Sequence, residues 1–186
     1  MAKATPFLSD VKSLRARARK DMMKGAVTSD YKGDVKKAVD ILNSALATEI
    51  VCVLRYKRHY YMAQGIHKEA VAAEFLQHAN EEQAHADLIA ERITQLGGAP
   101  DLNPQGLATR SHSQYIEGDN LIDMIKENLV AERIAIESYR EIIRYFGDND
   151  TTTRRMMEGI LAMEEEHASD MTDLLEAHGT EAGSKH

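Results

Sequence analysis

Four long runs of the chain place apolar residues three and four positions apart, the spacing that lays a single stripe along an α-helix. From about residue 34 to 64 the stripe reads Val35, Val39, Leu42, Leu46, Glu49, Val53 and Tyr56. From about 68 to 96 it reads Val71, Phe75, His78, Glu82, His85, Ile89 and Ile93. From about 120 to 146 it reads Ile122, Ile125, Leu129, Glu132, Ile136, Tyr139 and Ile143. From about 152 to 178 it reads Met156, Ile160, Met163, Glu164, His167, Met171 and Leu174. Gly65 and the run Gly97-Gly98-Ala99-Pro100 close the first two helices, and Gly147 to Asp150 separate the last two. The pattern predicts an all-α four-helix bundle of two antiparallel helical hairpins. Residues 97–119 between the hairpins are long for a loop. About 20 extended residues reach at least ~60 Å, more than the ~43 Å of the second helix. They can carry the chain back along the bundle as one long crossover.

The stripes are not purely apolar. Glu49 sits inside one, where an ionised carboxylate is costly unless paired or bound to a cation. Glu82-Gln83-Ala84-His85 and Glu164-Glu165-Glu166-His167 repeat the pattern Glu-x-x-His, which puts a carboxylate and an imidazole on one helix face. Glu49 precedes Glu82 by 33 residues and Glu132 precedes Glu164 by 32. A rise of about 15 residues, roughly 22 Å, followed by an equal descent returns each hairpin to the same height. Glu49, Glu82, His85, Glu132, Glu164 and His167 can therefore share one level. One Glu from each of two helices and a Glu-x-x-His from each of the others is the ligand set of di-iron and di-manganese carboxylate bundles.

Carboxylates with one imidazole per metal suit iron or manganese, two ions per subunit. In this reading Glu82 and Glu164 bridge, Glu49 and His85 complete one position, and Glu132 and His167 the other. Each His needs an acceptor for its second N–H, with Asp170 or Asp87 as candidates. Tyr56 follows Glu49 by seven residues, as Tyr139 follows Glu132. Tyr56 is read either as a hydrogen-bond or electron donor to the site or as a core tyrosine. His78, one turn before Glu82, is read either as a guide for metal or as a packing residue.

Charge and composition narrow the class. The 186 residues carry a net charge of −7, which argues against a general nucleic-acid binder. Residues 1–33 depart from this. Lys12, Arg15, Arg17, Arg19, Lys20 and Lys24 form a basic arm, expected to be a short helix between Ser9-Asp10 and Gly25. The arm offers a weak contact for DNA or a clasp for a neighbouring subunit. Residues 34–178 form the bundle and residues 179–186 a polar tail. The single Cys52 excludes a disulfide framework and reads as a buried free thiol. No apolar run of ~18 residues is present and the N-terminus lacks a signal-peptide core, so a cytoplasmic protein with no membrane association is expected.

Over residues 34–178 the chain resembles the bacterioferritins and their ferritin-like relatives. The resemblance is carried by Ile41-Leu42-Asn43 leading to Glu49, by His78 and Ala86-Asp87 around the first Glu-x-x-His, by Leu96 to Leu102, by Leu129 to Glu132, and by Glu164 to His167. It implies a ferritin-like fold and a ferroxidase that oxidises Fe²⁺ with dioxygen or hydrogen peroxide and stores ferric iron in a homo-oligomeric shell. Glu49, Glu82, His85, Glu132, Glu164 and His167 would be ligands, with Tyr56 beside them. Gln83 stands where that family keeps a haem-ligating Met, so no haem is expected, and Met62 and Met163 read as core filler. The basic arm and the short tail, with no fifth helix, are more similar to the Dps-type mini-ferritins and favour twelve subunits over the larger cage. A manganese or iron peroxidase or catalase, and a Dps-like DNA-protecting protein, are the alternatives.

Overall fold

The computed structural model describes residues 10–65 and 68–179. Residues 1–9 of the basic arm and 180–186 of the polar tail lie outside the described residues. The elements are α1 (Val11–Lys20), a 3₁₀ turn (Met22–Lys24), α2 (Val35–Met62), α3 (Lys68–Gln95), α4 (Leu107–Arg110), α5 (Leu121–Phe146) and α6 (Thr151–Gly179), with no strand among the described residues. The chain is all-α. Its core is a four-helix bundle of two hairpins in which α2 packs along α3 and α5 along α6.

Side chains define where the helices begin. Asp34 accepts from the Lys37 amide at 3.1 Å, Asn120 from the Asp123 amide at 3.0 Å, and Asp150 from the Thr153 amide at 2.9 Å. Each satisfies a donor that the first helical turn leaves without a partner. At the end of α3, Gly97 turns with φ +80°, and a Cβ on Gly98 would lie 2.6 Å from the Val39 side chain. That close approach seats the hairpin's exit on α2.

The crossover is laid along α2 and pinned to it. Asn43 donates to the Ala99 carbonyl and accepts from the Asp101 amide. Thr48 accepts from the His112 amide at 2.9 Å. Arg55 donates to Ser113 Oγ and the Gln114 carbonyl, and His59 Nε2 meets the Ile116 carbonyl at 3.1 Å. Successive turns of α2 thus hold successive residues of a segment otherwise short of backbone partners. The sequence reads this segment as loop throughout; the structure adds the single turn α4.

Two apolar clusters lie at different heights in the bundle. One contains Leu42, Leu46, Ile89, Ile93, Ile142, Phe146, Met157 and Ile160. The other contains Val71, Phe75, Ile125 and Met171. On α5 and α6 the expected stripe is buried at Ile125, Glu132 and Tyr139 and at Ile160, Glu164, His167 and Met171, and it shifts by one residue only beside the turn between the two helices. Ile142 and Met157 are buried, while Ile143 and Met156 are half-buried. These two helices pack mainly on each other, so the covered face is centred towards their mutual contact. Met62 is 41% exposed at the end of α2 and is not core filler. Cys52 is buried.

The basic helix α1 is exposed along its whole length. The chain returns to the bundle after Gly25: Val27 and Tyr31 pack on the first cluster, and the Tyr31 hydroxyl donates to Asp150 at 2.9 Å.

Candidate metal centre

Between the two clusters the interior is polar. Glu49 from α2, Glu82 and His85 from α3, Glu132 from α5, and Glu164 and His167 from α6 come together, each 6% exposed or less. The two histidines face each other across the carboxylates, ring centres 6.1 Å apart. His85 Nδ1 lies 3.4 Å from Glu49 Oε2, 3.5 Å from Glu82 Oε2 and 3.0 Å from Glu164 Oε1. His167 Nδ1 lies 3.7 Å from Glu82 Oε1, 4.0 Å from Glu132 Oε2 and 3.7 Å from Glu164 Oε2. Glu82 and Glu164 each turn one oxygen towards each histidine. The donor atoms form two overlapping groups, Glu49-Glu82-His85-Glu164 and Glu82-Glu132-Glu164-His167, which share Glu82 and Glu164.

Whether these residues fit metal ions can be tested on their hydrogen bonding. Glu49 Oε2, Glu82 Oε1, His85 Nδ1, Glu132 Oε2, both oxygens of Glu164 and His167 Nδ1 are buried with no hydrogen-bond partner among the described residues. Buried polar atoms are ordinarily satisfied. Here the unsatisfied ones converge, are of metal-ligating type, and come from all six helix-borne residues. The set fits two first-row divalent cations.

The two tyrosines cross over. The Tyr56 hydroxyl donates to Glu132 Oε1 at 2.5 Å, and the Tyr139 hydroxyl donates to Glu49 Oε1. Each tyrosine therefore holds the carboxylate of the other hairpin, not the one seven residues before it. Tyr139 belongs to the site as much as Tyr56. The repeated Glu-to-Tyr spacing was its signal in the sequence. Burial and the adjacent carboxylates push both phenols well above their ordinary pKa, so both remain donors.

Electrostatics sort the titratable groups. Burial, then the charges of Glu82 and Glu164, raise Glu49 and Glu132 well above the carboxylate range. Burial also opposes ionisation of Glu82, but the close approach of Glu49, His167 and His85 outweighs it and leaves Glu82 below the usual value. Burial disfavours the charged imidazoles, yet the surrounding carboxylates push His85 up to about 12 and His167 up to about 11. The apoprotein is thus a cage of shared protons that cations would displace.

The expected partners of the second imidazole nitrogen are corrected. His167 Nε2 meets Glu81 Oε2 at 2.9 Å, because Glu81 stands at the edge of α3 that faces α6. Asp87 lies on the exposed face of α3 and accepts from Gln83 at 3.0 Å. Asp170 faces His78, 3.3 Å from its Nε2. His78 is fully buried and links to the site through Tyr56, 3.1 Å from its Nδ1. Burial, then the charge of His167, hold it down at about 3. A groove between α3 and α6 lined by Leu88, Met156, Gly159 and Met163 reaches His85.

Behind the centre, Arg55 is fully buried and donates to Asn128 Oδ1 at 2.9 Å as well as to the crossover. The sequence reading missed both residues. Arg55 adjoins Tyr56, and Asn128 stands one turn before Glu132; nothing in their spacing marks them as partners.

Known proteins are similar to this chain in sequence and fold. A family model described as a ferritin-like domain matches residues 39–178. A bacterioferritin of Desulfovibrio desulfuricans is 26% identical over 132 residues, 70% of each chain. A DNA protection during starvation protein of Pyrococcus furiosus is 30% identical over 146 residues, 76% of this chain and 78% of that one. Among solved structures, the dodecameric thioferritin of Bacteroides fragilis, a bacterioferritin-related protein, is 32% identical. It superposes with a TM-score of 0.76 over 92% of this chain and 99% of that one. With a four-helix bundle, a carboxylate–histidine centre and a family match over three-quarters of its length, this chain belongs to the ferritin-like family.

Proposed function

We propose that this protein is a ferroxidase: it oxidises Fe²⁺ with dioxygen or hydrogen peroxide at the six-residue centre and holds the ferric product in an oligomeric shell. The observation that carries this reading is the way Glu82 and Glu164 each split their two oxygens between the two histidines. Such carboxylates can bridge two cations, with Glu49 and His85 on one side and Glu132 and His167 on the other. Two Fe²⁺ give up one electron each. With two protons, the pair reduces one dioxygen to hydrogen peroxide, or one hydrogen peroxide to two waters.

The chain's own residues bind and orient. Tyr139 and Tyr56 hold one oxygen of Glu49 and of Glu132, leaving the other aimed inward. Glu81 holds His167 through Nε2, so that Nδ1 faces the centre. The apolar clusters cover the centre above and below. Gln83 is exposed and engaged with Asp87, and an amide is a poor haem ligand, so no haem is part of this reading.

The test is anaerobic loading with Fe²⁺ followed by mixing with dioxygen or peroxide, with ferric absorbance and metal content measured per subunit. Fast oxidation is expected in the wild type and its loss in Glu82→Ala and Glu164→Ala variants that keep their helical circular dichroism. Oxidation no faster than in buffer overturns the proposal. Manganese in the purified protein together with catalase turnover would move the function to the di-manganese alternative.

A Dps-like contact with DNA is the second reading, favoured by the exposure of Lys12, Arg15, Arg17, Arg19 and Lys20 on α1. Among the described residues no helix is long and apolar enough to cross a membrane.

A further inference from the structure

A second group of ligating side chains lies where α3 and α6 face each other, one to two turns from the centre. Glu74, His78 and Asp170 each offer one atom, all within 4.8 Å of one another. His78 Nε2 is 3.2 Å from Glu74 Oε1 and 3.3 Å from Asp170 Oδ2. His78 is wholly buried, whereas the two carboxylates are 32% and 38% exposed, so the group opens to solvent on one side.

The hydrogen bonds behind His78 determine what its ring presents. Tyr56 has one hydroxyl proton and donates it to Glu132. The Tyr56 oxygen is then an acceptor for His78 Nδ1, 3.1 Å away. The tautomer that completes this chain carries its proton on Nδ1. Nε2 therefore turns a lone pair towards two carboxylates. Three acceptors that converge without a donor between them form a cradle for a cation. One imidazole and two carboxylates, with water completing the shell, suit a first-row divalent ion.

The cradle is continuous with the centre. His78, Glu81 and His167 form another ligating group, which overlaps the cradle through His78 and the centre through His167. The rings of His78 and His167 stack with their centres 4.0 Å apart. The geometry points to a third divalent-cation site at Glu74, His78 and Asp170, a holding position from which an ion passes along Glu81 and His167 to the buried pair. The destination, though not the cradle, rests on the di-metal reading above.

Zn²⁺ is a suitable probe because it has no redox chemistry. Crystals of the full-length protein soaked in Zn²⁺ and measured on both sides of the zinc edge should show three anomalous peaks per subunit. Glu74→Gln combined with Asp170→Asn should remove only the outer peak. The same variant should slow Fe²⁺ oxidation several-fold at limiting Fe²⁺ and little at saturating Fe²⁺. Glu82→Ala combined with Glu164→Ala should remove the central pair and keep the outer peak. Two central peaks with no ion at His78 overturn the inference, as does an outer peak that survives the Glu74 and Asp170 changes. An outer peak beside an empty centre supports the cradle and overturns the di-metal reading.

Discussion

Glu49 and Glu132 lie wholly inside the bundle, each held by a tyrosine from the opposite hairpin. Removing such a hydroxyl leaves a buried carboxylate oxygen without a donor, at about 1–3 kcal/mol. Tyr56→Phe and Tyr139→Phe should each lose roughly that much in urea unfolding, and each should slow Fe²⁺ oxidation. If only Tyr56→Phe affects the rate, the two tyrosines are not equivalent. The shared protons give a second prediction. Glu49, Glu132, His85 and His167 all have raised folded-state values, so the folded apoprotein holds more protons than the unfolded chain near neutrality. Their stabilisation is full at low pH and is lost as pH rises. His59 and His78 are lowered, and Glu82 is lowered too; their contributions are complete above the ordinary histidine value of 6.5. From about pH 7.5 to 9 the raised groups therefore dominate, with a loss of order 1–3 kcal/mol per pH unit. Calorimetry should show the apoprotein's Tm falling across this range. The Zn²⁺-loaded protein should fall less, because cation binding has already displaced those protons.

At the scale of elements, the crossover is pinned to the bundle by side chains of α2. Its attachment to α2 relies on Asn43, Thr48, Arg55 and His59. Arg55 is the central peg: its guanidinium joins α2, Asn128 of α5 and residues 113 and 114 of the crossover. Arg55→Met keeps much of the volume but removes every one of these donors. It should cost roughly 1–3 kcal/mol or more and speed amide hydrogen exchange over residues 111–117. Unchanged exchange there would mean that the backbone alone holds the segment.

At the scale of the whole molecule, charge and assembly go together. A chain of net charge −7 carries an exposed basic helix at one end, free of the bundle it precedes. Leu54, Leu88, Tyr61 and Val130 are large apolar residues left 48–78% exposed on a single subunit. A closed symmetric shell covers such surfaces with few distinct interfaces. Under the proposed function, twelve subunits are predicted for that shell. Light scattering should give roughly 250 kDa, twelve times the 20.8 kDa subunit. A mass of one or two subunits at all concentrations would sink the shell. DNA retardation on a gel, if observed, should be salt-sensitive and should vanish on deletion of residues 1–24.

What the sequence determined by itself is whatever repeats along one helix. The stripes of threes and fours, the two Glu-x-x-His pairs and the equal hairpin lengths placed six side chains at one height, because helical rise and periodicity are local properties of the chain. Tertiary structure alone decided what each side chain meets across a gap between helices. It crossed Tyr56 to Glu132 and Tyr139 to Glu49, chose Glu81 over Asp170 or Asp87 for His167, buried Ile142 and Met157 in place of Ile143 and Met156, and joined Arg55 to Asn128. These pairings depend on the rotation of each helix about its axis and on the course of the crossover. Both are set by packing between segments 60 or more residues apart, which no local spacing records.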